Sequence, residues 1–340
     1  MTTTFLSAAP PAAKEIVPPG AELVAVYTRA SPNAGDMTEG PAVAPDGSIY
    51  FSFIPSGDVK GQILRYDPTT GKTGVFATDS HKSNGLAFDA RGDLIACEGA
   101  DHGGRCISRW NVKTGQHTVL VERFEGKRFN APNDVAIDAK GRIYFTDPKY
   151  VGSEARELER RSVYAIDPDG KTREVTHDVE KPNGIAISPD QKTLYVADTN
   201  NGADGSDAAG TVPRKGAMKV YAFPLSSAGT IDGPRRTMVD FDSEDGCDGM
   251  TLDVRGNLYL TARSRKRPGV MVVDAAGKEL AFISTRVTEP GPKPGDEAAG
   301  LPSNCEFGIG GQSKTLYVTI DKGLCSIDLS IDGYHIPWQK

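Results

Sequence analysis

Short apolar strands recur along the chain, and a Gly or Lys turn precedes each of them. Six equivalent apolar positions in these strands serve as register marks: Ile49, Leu94, Ile143, Leu194, Leu258 and Leu316. Successive marks are 45, 49, 51, 64 and 58 residues apart, near the ~40–50 residues of known propeller blades. This spacing predicts six similar β units.

Each register mark lies among other short strands in which apolar and polar residues alternate. A strand such as 134–138 precedes a mark, and a hairpin with a Gly-bearing turn, such as 63–71, follows a mark before the chain returns as a fourth strand. Four antiparallel strands in each unit predict an all-β fold, a six-bladed β-propeller. The last unit runs out of chain, so the strand-like segment 22–29 is expected to supply its outer strand and close the ring.

The chain divides into a predicted flexible leader, residues 1–20, and a single propeller, residues 21–340. Helix is nearly absent from the pattern, with one turn or two expected at 154–161. Two long polar loops, 199–216 and 286–303, exceed ordinary connections and are interpreted as lids or mobile segments. The leader lacks the basic and apolar regions of a signal peptide. A cytoplasmic protein is therefore expected, or a periplasmic or secreted one if a targeting segment was trimmed.

Charge and hydropathy argue against two classes of partner. The formal net charge is −6 and the pI is about 5.5. The longest basic cluster, 263–267, lies in a loop and is interpreted as a solvated turn, so nucleic acid is not expected. No segment approaches the ~18 consecutive apolar residues of a membrane span, so no membrane partner is expected. A monomer or weak homo-oligomer is predicted.

The five cysteines are odd in number and contain no Cys-x-x-Cys motif. Free and mostly buried thiols are the expectation, since that composition is typical of a reducing compartment. A disulfide between Cys97 and Cys106 is the alternative, because these two residues could flank one hairpin.

One polar position repeats in all six units, ten to twelve residues before each register mark. It is occupied by Glu39, Asn84, Asn133, Asn183, Asp248 and Asn304. This position opens the first strand of each blade, which in a propeller is the strand nearest the axis. The six side chains are therefore expected to converge at one end of the central channel.

Carboxylate and amide oxygens are the ligands that hard cations prefer. The repeated set predicts one divalent cation, with Ca²⁺ favoured and Mg²⁺, Mn²⁺ or Zn²⁺ as alternatives. The competing interpretation is structural, because Asn and Asp before a strand also form side-chain turns. Placing Glu39 and Asp248 together without a cation would cost several kcal/mol in repulsion and desolvation, which favours the metal.

At these residues the sequence resembles the gluconolactonase and regucalcin family of six-bladed propeller hydrolases, which is also similar to diisopropylfluorophosphatase. The resemblance runs from residue 39 to residue 308, and it is strongest in four segments: 130–138 (NAPNDVAID), 144–148 (YFTDP), 181–186 (KPNGIA) and 247–250 (CDGM). It implies that Glu39, Asn133, Asn183 and Asp248 bind the catalytic ion. Asn84 and Asn304 would then contact the substrate or support the ligands.

The resemblance also draws attention to three further residues near the channel. The segment 101–105 (DHGGR) resembles a family loop beside the channel and suggests His102 and Arg105 as substrate contacts. A turn histidine and a solvated hairpin charge are the structural alternatives for these two. Arg128 is the nearest candidate for a sugar-binding arginine. The turn at Asp147 and Pro148 is interpreted as structural.

The predicted function is hydrolysis of a small lactone or ester by a metal-polarised carbonyl. Asp248 is the expected base that activates water, and direct attack by its carboxylate is the variant. One alternative keeps the site and acts on a phosphotriester or fluorophosphate. Another alternative is a calcium-binding propeller without catalysis, since propellers host many functions.

Overall fold

The computed structural model describes residues 13–31, 33, 35–204, 215–242, 245–286 and 300–336. Within these residues the chain is nearly all β and contains six four-stranded antiparallel sheets. The six-bladed propeller predicted from the repeat is confirmed.

The elements are as follows, in chain order. The chain begins with helix α1 (Ala13–Ile16) and strand β1 (Val24–Thr28). Blade 1 contains β2 (Met37–Val43), β3 (Ile49–Ile54), β4 (Gln62–Asp67) and β5 (Lys72–Ala77). Blade 2 contains β6 (Ser83–Phe88), β7 (Leu94–Glu98), β8 (Cys106–Trp110) and β9 (His117–Val121). A small hairpin follows, β10 (Arg123–Phe124) and β11 (Lys127–Arg128).

The second half of the chain repeats this order. Blade 3 contains β12 (Val135–Ile137), β13 (Ile143–Thr146), β14 (Val163–Ile166) and β15 (Thr172–Thr176). Blade 4 contains β16 (Pro182–Ile187), β17 (Thr193–Thr199), β18 (Met218–Pro224) and β19 (Arg236–Asp240). Blade 5 contains β20 (Cys247–Leu252), β21 (Leu258–Ala262), β22 (Gly269–Val273) and β23 (Glu279–Ser284). Blade 6 contains β24 (Pro302–Phe307), a 3₁₀ turn (Gly310–Gln312), β25 (Thr315–Ile320) and β26 (Gly323–Asp328).

The first strand of each blade is the innermost strand of the ring. Consecutive inner strands contact one another from β2 through β6, β12, β16, β20 and β24, and β24 contacts β2 again. The six register marks lie at the start of the second strand of each blade. All six are buried, because this strand is covered by neighbouring blades on both faces. The blades therefore enclose one central channel.

The N-terminal strand closes the ring, as the sequence predicted. β1 pairs antiparallel with β26, with Val24 opposite Ser326 and Thr28 opposite Gly323. The last blade is thus built from both ends of the chain. This pairing covers the edge of β26 that would otherwise present unpaired backbone groups.

Part of the predicted leader packs against the propeller. Ile16 in α1 is 2% exposed and lies in the apolar cluster that contains Ile283 and Leu329. The Ser330 amide donates to the Ile16 carbonyl oxygen at 2.9 Å. Residues 1–12 lie outside the described residues, so the expectation of a flexible leader stays a prediction for them.

The helix expected at 154–161 is wrong, because this segment is irregular in the structure. Two of its arginines, Arg156 and Arg161, form ion pairs with Asp204 at 3.0 and 2.9 Å. These contacts hold the segment as a loop. Most of the long polar segments 199–216 and 286–303 lies outside the described residues.

All five cysteines are free, and four of them are buried. Cys97 is paired in register with Ile107, and Cys106 with Glu98. Neighbouring register positions point to opposite faces of a sheet, so the Cys97 and Cys106 side chains diverge. The disulfide alternative is therefore wrong.

Candidate metal centre

The repeated polar residues lie where the inner strands depart from regular pairing. The register between the first and second strands shifts after Glu39 in blade 1, and across Asn84, Asn183 and Asp248 in blades 2, 4 and 5. In blade 3, regular pairing begins only at Val135. A β-bulge redirects a side chain locally, and such bulges are common beside active sites. Here they occur at the residues that the repeat singled out.

Glycine follows the repeated residue in four of the six blades, and two of these glycines show why. Gly40 has a φ of +50°, and a Cβ built on it would lie 2.2 Å from the Asn84 carbonyl oxygen. A Cβ on Gly184 would lie 2.3 Å from the Asp248 carbonyl oxygen. Neighbouring inner strands approach too closely here for any side chain. The glycines therefore allow the polar residues of adjacent blades to converge.

Buried carboxylates fix the loops that lead into the inner strands. Asp147 accepts the amide protons of Asn130 and Ala131 at 2.8 and 2.7 Å. Asp198 accepts those of Glu180 and Lys181, both at 2.8 Å. The structural role predicted for the turn at Asp147 agrees with these contacts. The loops enter the channel in a fixed conformation.

A cavity of about 510 Å³ opens at this end of the channel. Five of the six repeated residues line it: Glu39, Asn84, Asn133, Asn183 and Asp248. Glu39 is 3% exposed and Asp248 is 8% exposed. The structure therefore brings together the four side chains that the resemblance assigned to the metal, and it adds Asn84 beside them.

The sixth residue, Asn304, lies deeper in the channel. Its amide nitrogen is 3.4 Å from Asp134 Oδ1, and its own Oδ1 accepts the Cys305 amide proton at 2.8 Å. Asn304 and Asp134 line a second cavity of about 140 Å³ toward the opposite end, together with Glu306. Asn304 thus supports the ring from below and does not line the main cavity.

Asp134 is a residue that the repeat argument missed. It stands directly after Asn133, where the blades of Glu39, Asn84, Asn183 and Asp248 all have glycine. Its carboxylate also accepts the Ile185 amide proton at 3.2 Å, which links blade 3 to blade 4. Comparing the residue that follows the repeated position in each blade would have singled it out.

Three carboxyl groups interact at the centre of the channel. Burial raises the pKa of Glu39 well above its usual range, and the charges of Asp248 and Asp134 raise it further. Burial raises the pKa of Asp134 to about 7. Burial also raises the pKa of Asp248, against the opposing effects of Arg263 and a hydrogen bond with Asn183. Without added positive charge, burial and mutual repulsion shift these acids toward their protonated forms relative to free carboxyl groups.

This donor set suits a hard divalent cation. Two carboxylates, from Glu39 and Asp248, and the amides of Asn133 and Asn183 line one cavity and offer oxygen ligands. Across the part of the chain that the structure describes, no group of three or more His, Cys, Asp or Glu side chains could hold a metal. A site here therefore depends on the amide oxygens as well as on the acids.

Arg263 forms an ion pair with Asp248 that the sequence did not predict. Its Nη1 lies 3.0 Å from Asp248 Oδ2, and it lines the cavity. The interpretation of 263–267 as a solvated turn is wrong for Arg263. It fits Arg267, which is exposed and pairs with Glu279 at 2.6 Å. The chain direction at the end of β21 turns the first of these arginines inward.

Tyr150 is another cavity residue that sequence reasoning missed. Its hydroxyl donates to the Thr199 carbonyl oxygen at 3.0 Å, and the Lys181 ammonium lies 4.0 Å from its ring centroid. Burial raises its pKa well above the usual range, and the charge of Asp248 adds to this effect. A hydrogen bond with Asn183 links it to the candidate ligands.

The other three predicted substrate contacts are not among the residues that line the cavity. His102 is exposed, and its backbone amide donates to Glu154 at 2.8 Å. Arg105 is 7% exposed, and its Nε donates to the Phe129 carbonyl oxygen at 2.8 Å. The Arg128 guanidinium donates to the Gly104 carbonyl oxygen. These residues tie loops of blades 2 and 3 together.

The described residues contain no helix long and apolar enough to cross a membrane.

The family model described as SMP-30/Gluconolactonase/LRE-like region matches residues 37–322. The gluconolactonase of Zymomonas mobilis is 28% identical over 307 residues, which cover 83% of this chain and 75% of that protein.

Solved structures show the same architecture. The gluconolactonase from Xanthomonas campestris superimposes with a TM-score of 0.72 and 29% identity, covering 93% of this chain and 91% of that one. The calcium-binding protein regucalcin from Agrobacterium tumefaciens has a TM-score of 0.67 and 18% identity, covering 93% and 98%. At 18% identity, this second likeness shows the fold alone.

Proposed function

This chain belongs to the SMP-30/gluconolactonase/LRE-like family, and on that premise we propose that it is a metal-dependent lactonase, a hydrolase of carboxylic esters. The relatives named gluconolactonase support lactone hydrolysis. One observation carries the proposal. Two buried acids, Glu39 and Asp248, line one cavity with the amides of Asn133 and Asn183.

These four side chains would hold a single divalent cation, for which Ca²⁺ is the first candidate and Mg²⁺, Mn²⁺ or Zn²⁺ are alternatives. When bound, such a cation supplies Lewis-acid polarisation of the substrate carbonyl. The mutual repulsion of Glu39 and Asp248 supports this assignment, because a positive charge between them lets both acids ionise.

Asp248 is the proposed base. Arg263 and Asn183 favour its ionised form, which is the form that accepts a proton. A water molecule loses its proton to the Asp248 carboxylate as it attacks the lactone carbonyl, and the ring oxygen leaves with a proton returned by Asp248. In the variant mechanism, the carboxylate itself attacks the carbonyl carbon, the ring C–O bond breaks to leave a mixed anhydride, and water then hydrolyses this anhydride to restore the carboxylate.

Asn84 and Asn304 have supporting roles in this proposal. Asn84 lines the cavity beside the ligand set and is positioned to contact the substrate. Asn304 holds Asp134 at 3.4 Å beneath the ring. His102, Arg105 and Arg128 stay predictions as substrate contacts, with their loop contacts favouring a structural role. A monomeric or weakly oligomeric cytoplasmic protein likewise stays a prediction.

The test is a substrate panel with and without chelator. Sugar and non-sugar γ- and δ-lactones are assayed by proton release beside a phosphotriester and a fluorophosphate. Metal-dependent hydrolysis of lactones supports the proposal. Turnover of the phosphorus esters alone would move the function to a phosphotriesterase. Binding of Ca²⁺ without turnover of any substrate would indicate a non-catalytic propeller.

A further inference from the structure

The main cavity has a polar floor and a largely apolar wall. The floor is formed by the repeated acids and amides at the starts of the inner strands. The apolar side chains of the wall come from different loops and strands and include Met37, Ile54, Pro55, Val151, Met218 and Leu301. Val151 is 54% exposed and marks the outer edge. A ligand here would meet the repeated polar groups at one end, and around the rest these apolar side chains together with polar ones such as Arg265 and Asp245.

Several polar groups of the wall are already occupied by the protein. The Lys82 ammonium donates to the carbonyl oxygens of Pro55 and Gly57 at 2.6 and 2.7 Å. The Asn201 side-chain oxygen accepts from Lys181 at 2.7 Å. The Thr199 hydroxyl donates to a carbonyl oxygen of Cys247. A ligand rich in hydroxyl groups would have to displace these contacts, at a cost in binding free energy.

The size of the cavity also favours a ligand larger than a bare lactone ring. Its volume of about 510 Å³ lies within the ~300–1,000 Å³ of pockets that enclose drug-sized ligands. A five- or six-membered lactone ring has only about seven heavy atoms. With its ester on the polar floor, such a ring leaves the apolar wall uncovered.

We propose that the substrate is a lactone whose ring carries an apolar alkyl or aryl substituent, and not a polyhydroxylated sugar lactone. This inference rests on the proposed function. The ester group lies against the floor, and the substituent extends along Met37, Ile54 and Leu301. Burial of the substituent supplies binding free energy that increases with its length.

The first experiment measures kcat/KM of the metal-loaded protein for γ-butyrolactone, γ-hexalactone, γ-nonalactone and glucono-1,5-lactone. Each buried methylene is expected to raise kcat/KM about threefold to fourfold. γ-Nonalactone should therefore exceed γ-butyrolactone by well over about tenfold. Equal rates along the alkyl series, or glucono-1,5-lactone as the best substrate, would overturn the inference.

A variant locates the effect on the wall. Met37→Ser with Ile54→Ser should reduce the ratio of γ-nonalactone to γ-butyrolactone kcat/KM about tenfold, because two contacts for the substituent are lost. The matched control is Val119→Ser, a 46% exposed valine on the outer strand of blade 2. It should leave the ratio unchanged. An unchanged ratio in the double variant would contradict the proposed wall.

A second variant and a binding measurement keep the test independent of folding and of turnover. Val151→Asn changes an exposed edge residue and should lower the same ratio, by a smaller factor. Thermal stabilisation by γ-alkyl lactams, whose amide resists hydrolysis, should increase with chain length. Lactam binding that tightens with length in a protein that hydrolyses no lactone would reject the lactonase and keep the apolar site. If lactones are hydrolysed, but neither their kcat/KM nor the binding of lactams depends on alkyl chain length, only the apolar site would be rejected.

Discussion

Arg263 Nη1 lies 3.0 Å from Asp248 Oδ2 at the wall of the main cavity. The arginine opens the loop after β21, and the aspartate lies in β20 of the same blade. Both residues line the cavity, so the charge of the arginine acts directly on the proposed base. The charge environments of the two acids differ in this respect. The largest charge effects on the pKa of Glu39 come from Asp248 and Asp134, and both raise it.

The first prediction concerns the pH dependence of hydrolysis. Arg263 opposes the rise in the pKa of Asp248 that burial causes, so Arg263→Met should raise that pKa. The acid limb of the kcat/KM profile should move to higher pH, with a larger rate loss at pH 6 than at pH 8. Arg263→Lys keeps a positive charge and should therefore show a smaller shift than Arg263→Met. The control is Arg267→Met, which removes a surface arginine and should leave the profile unchanged. An unshifted acid limb in Arg263→Met would contradict the proposed effect of Arg263 on the pKa of Asp248.

The second prediction tests the proposed base. Asp248→Asn keeps the size of the side chain and removes its ability to accept a proton. The rate should fall by about a hundredfold or more, while circular dichroism and the cooperativity of unfolding remain those of the parent protein. Asp240→Asn, on the exposed outer strand of blade 4, is the matched control. Near-parental turnover by Asp248→Asn would place the base elsewhere.

The third prediction concerns removal of the metal. A ligand that binds only the folded state stabilises it by about 2.7 kcal/mol at a free concentration a hundredfold above its Kd. Chelator should therefore lower the Tm and abolish hydrolysis, and added Ca²⁺ should restore both. Glu39→Gln should weaken the Ca²⁺-dependent rise in Tm. Full activity after exhaustive chelation, checked by metal analysis, would contradict a metal-dependent mechanism.

The fourth prediction follows from the raised pKa of Asp134. Its pKa of about 7 in the folded protein exceeds the ordinary value of about 3.9. Between these values the folded state binds more protons than the unfolded state. The free energy of unfolding of the metal-free protein should therefore fall as pH rises through this window, by up to about 1.4 kcal/mol per pH unit from this group.

Urea unfolding in chelator at pH 5 and pH 7 measures this loss. Asp134→Asn should show a smaller difference between the two pH values than the parent protein. Asp58→Asn, a substitution in an exposed loop, should match the parent. An identical pH difference in Asp134→Asn and the parent would show that another group carries the effect.

Much of the architecture was predictable because it is periodic. The register marks, such as Leu94 and Leu258, are apolar at fixed places in each unit, and the structure buries them in the second strand of their blades. Repetition also identified the repeated polar residues. A feature that recurs six times is visible in a single sequence, since each blade serves as a comparison for the others.

The parts that were not predictable depend on local departures from the repeat. Arg263 belongs to a basic run that is typical of a solvated surface turn. Only the chain direction after β21 turns its side chain toward Asp248. Ile16 lies in a segment rich in Ala and Pro, yet it fills a gap between blades 5 and 6. Arg105 resembled a substrate contact, but its guanidinium satisfies backbone carbonyl oxygens of two loops. Such contacts are set by three-dimensional proximity, which sequence spacing does not encode.

The pairing of β1 with β26 bears on the order in which the molecule assembles. The Thr38 amide donates to the Asp321 carbonyl oxygen at 2.8 Å, and the Ser303 hydroxyl donates to the Thr38 carbonyl oxygen at 2.7 Å. Both contacts join blade 1 to blade 6, where the ring closes. During synthesis, the strand that carries Glu39 therefore lacks one of its two neighbouring blades until blade 6 has been made. The candidate metal centre can therefore be completed only after blade 6 has formed, and a chain truncated before blade 6 would have an open ring.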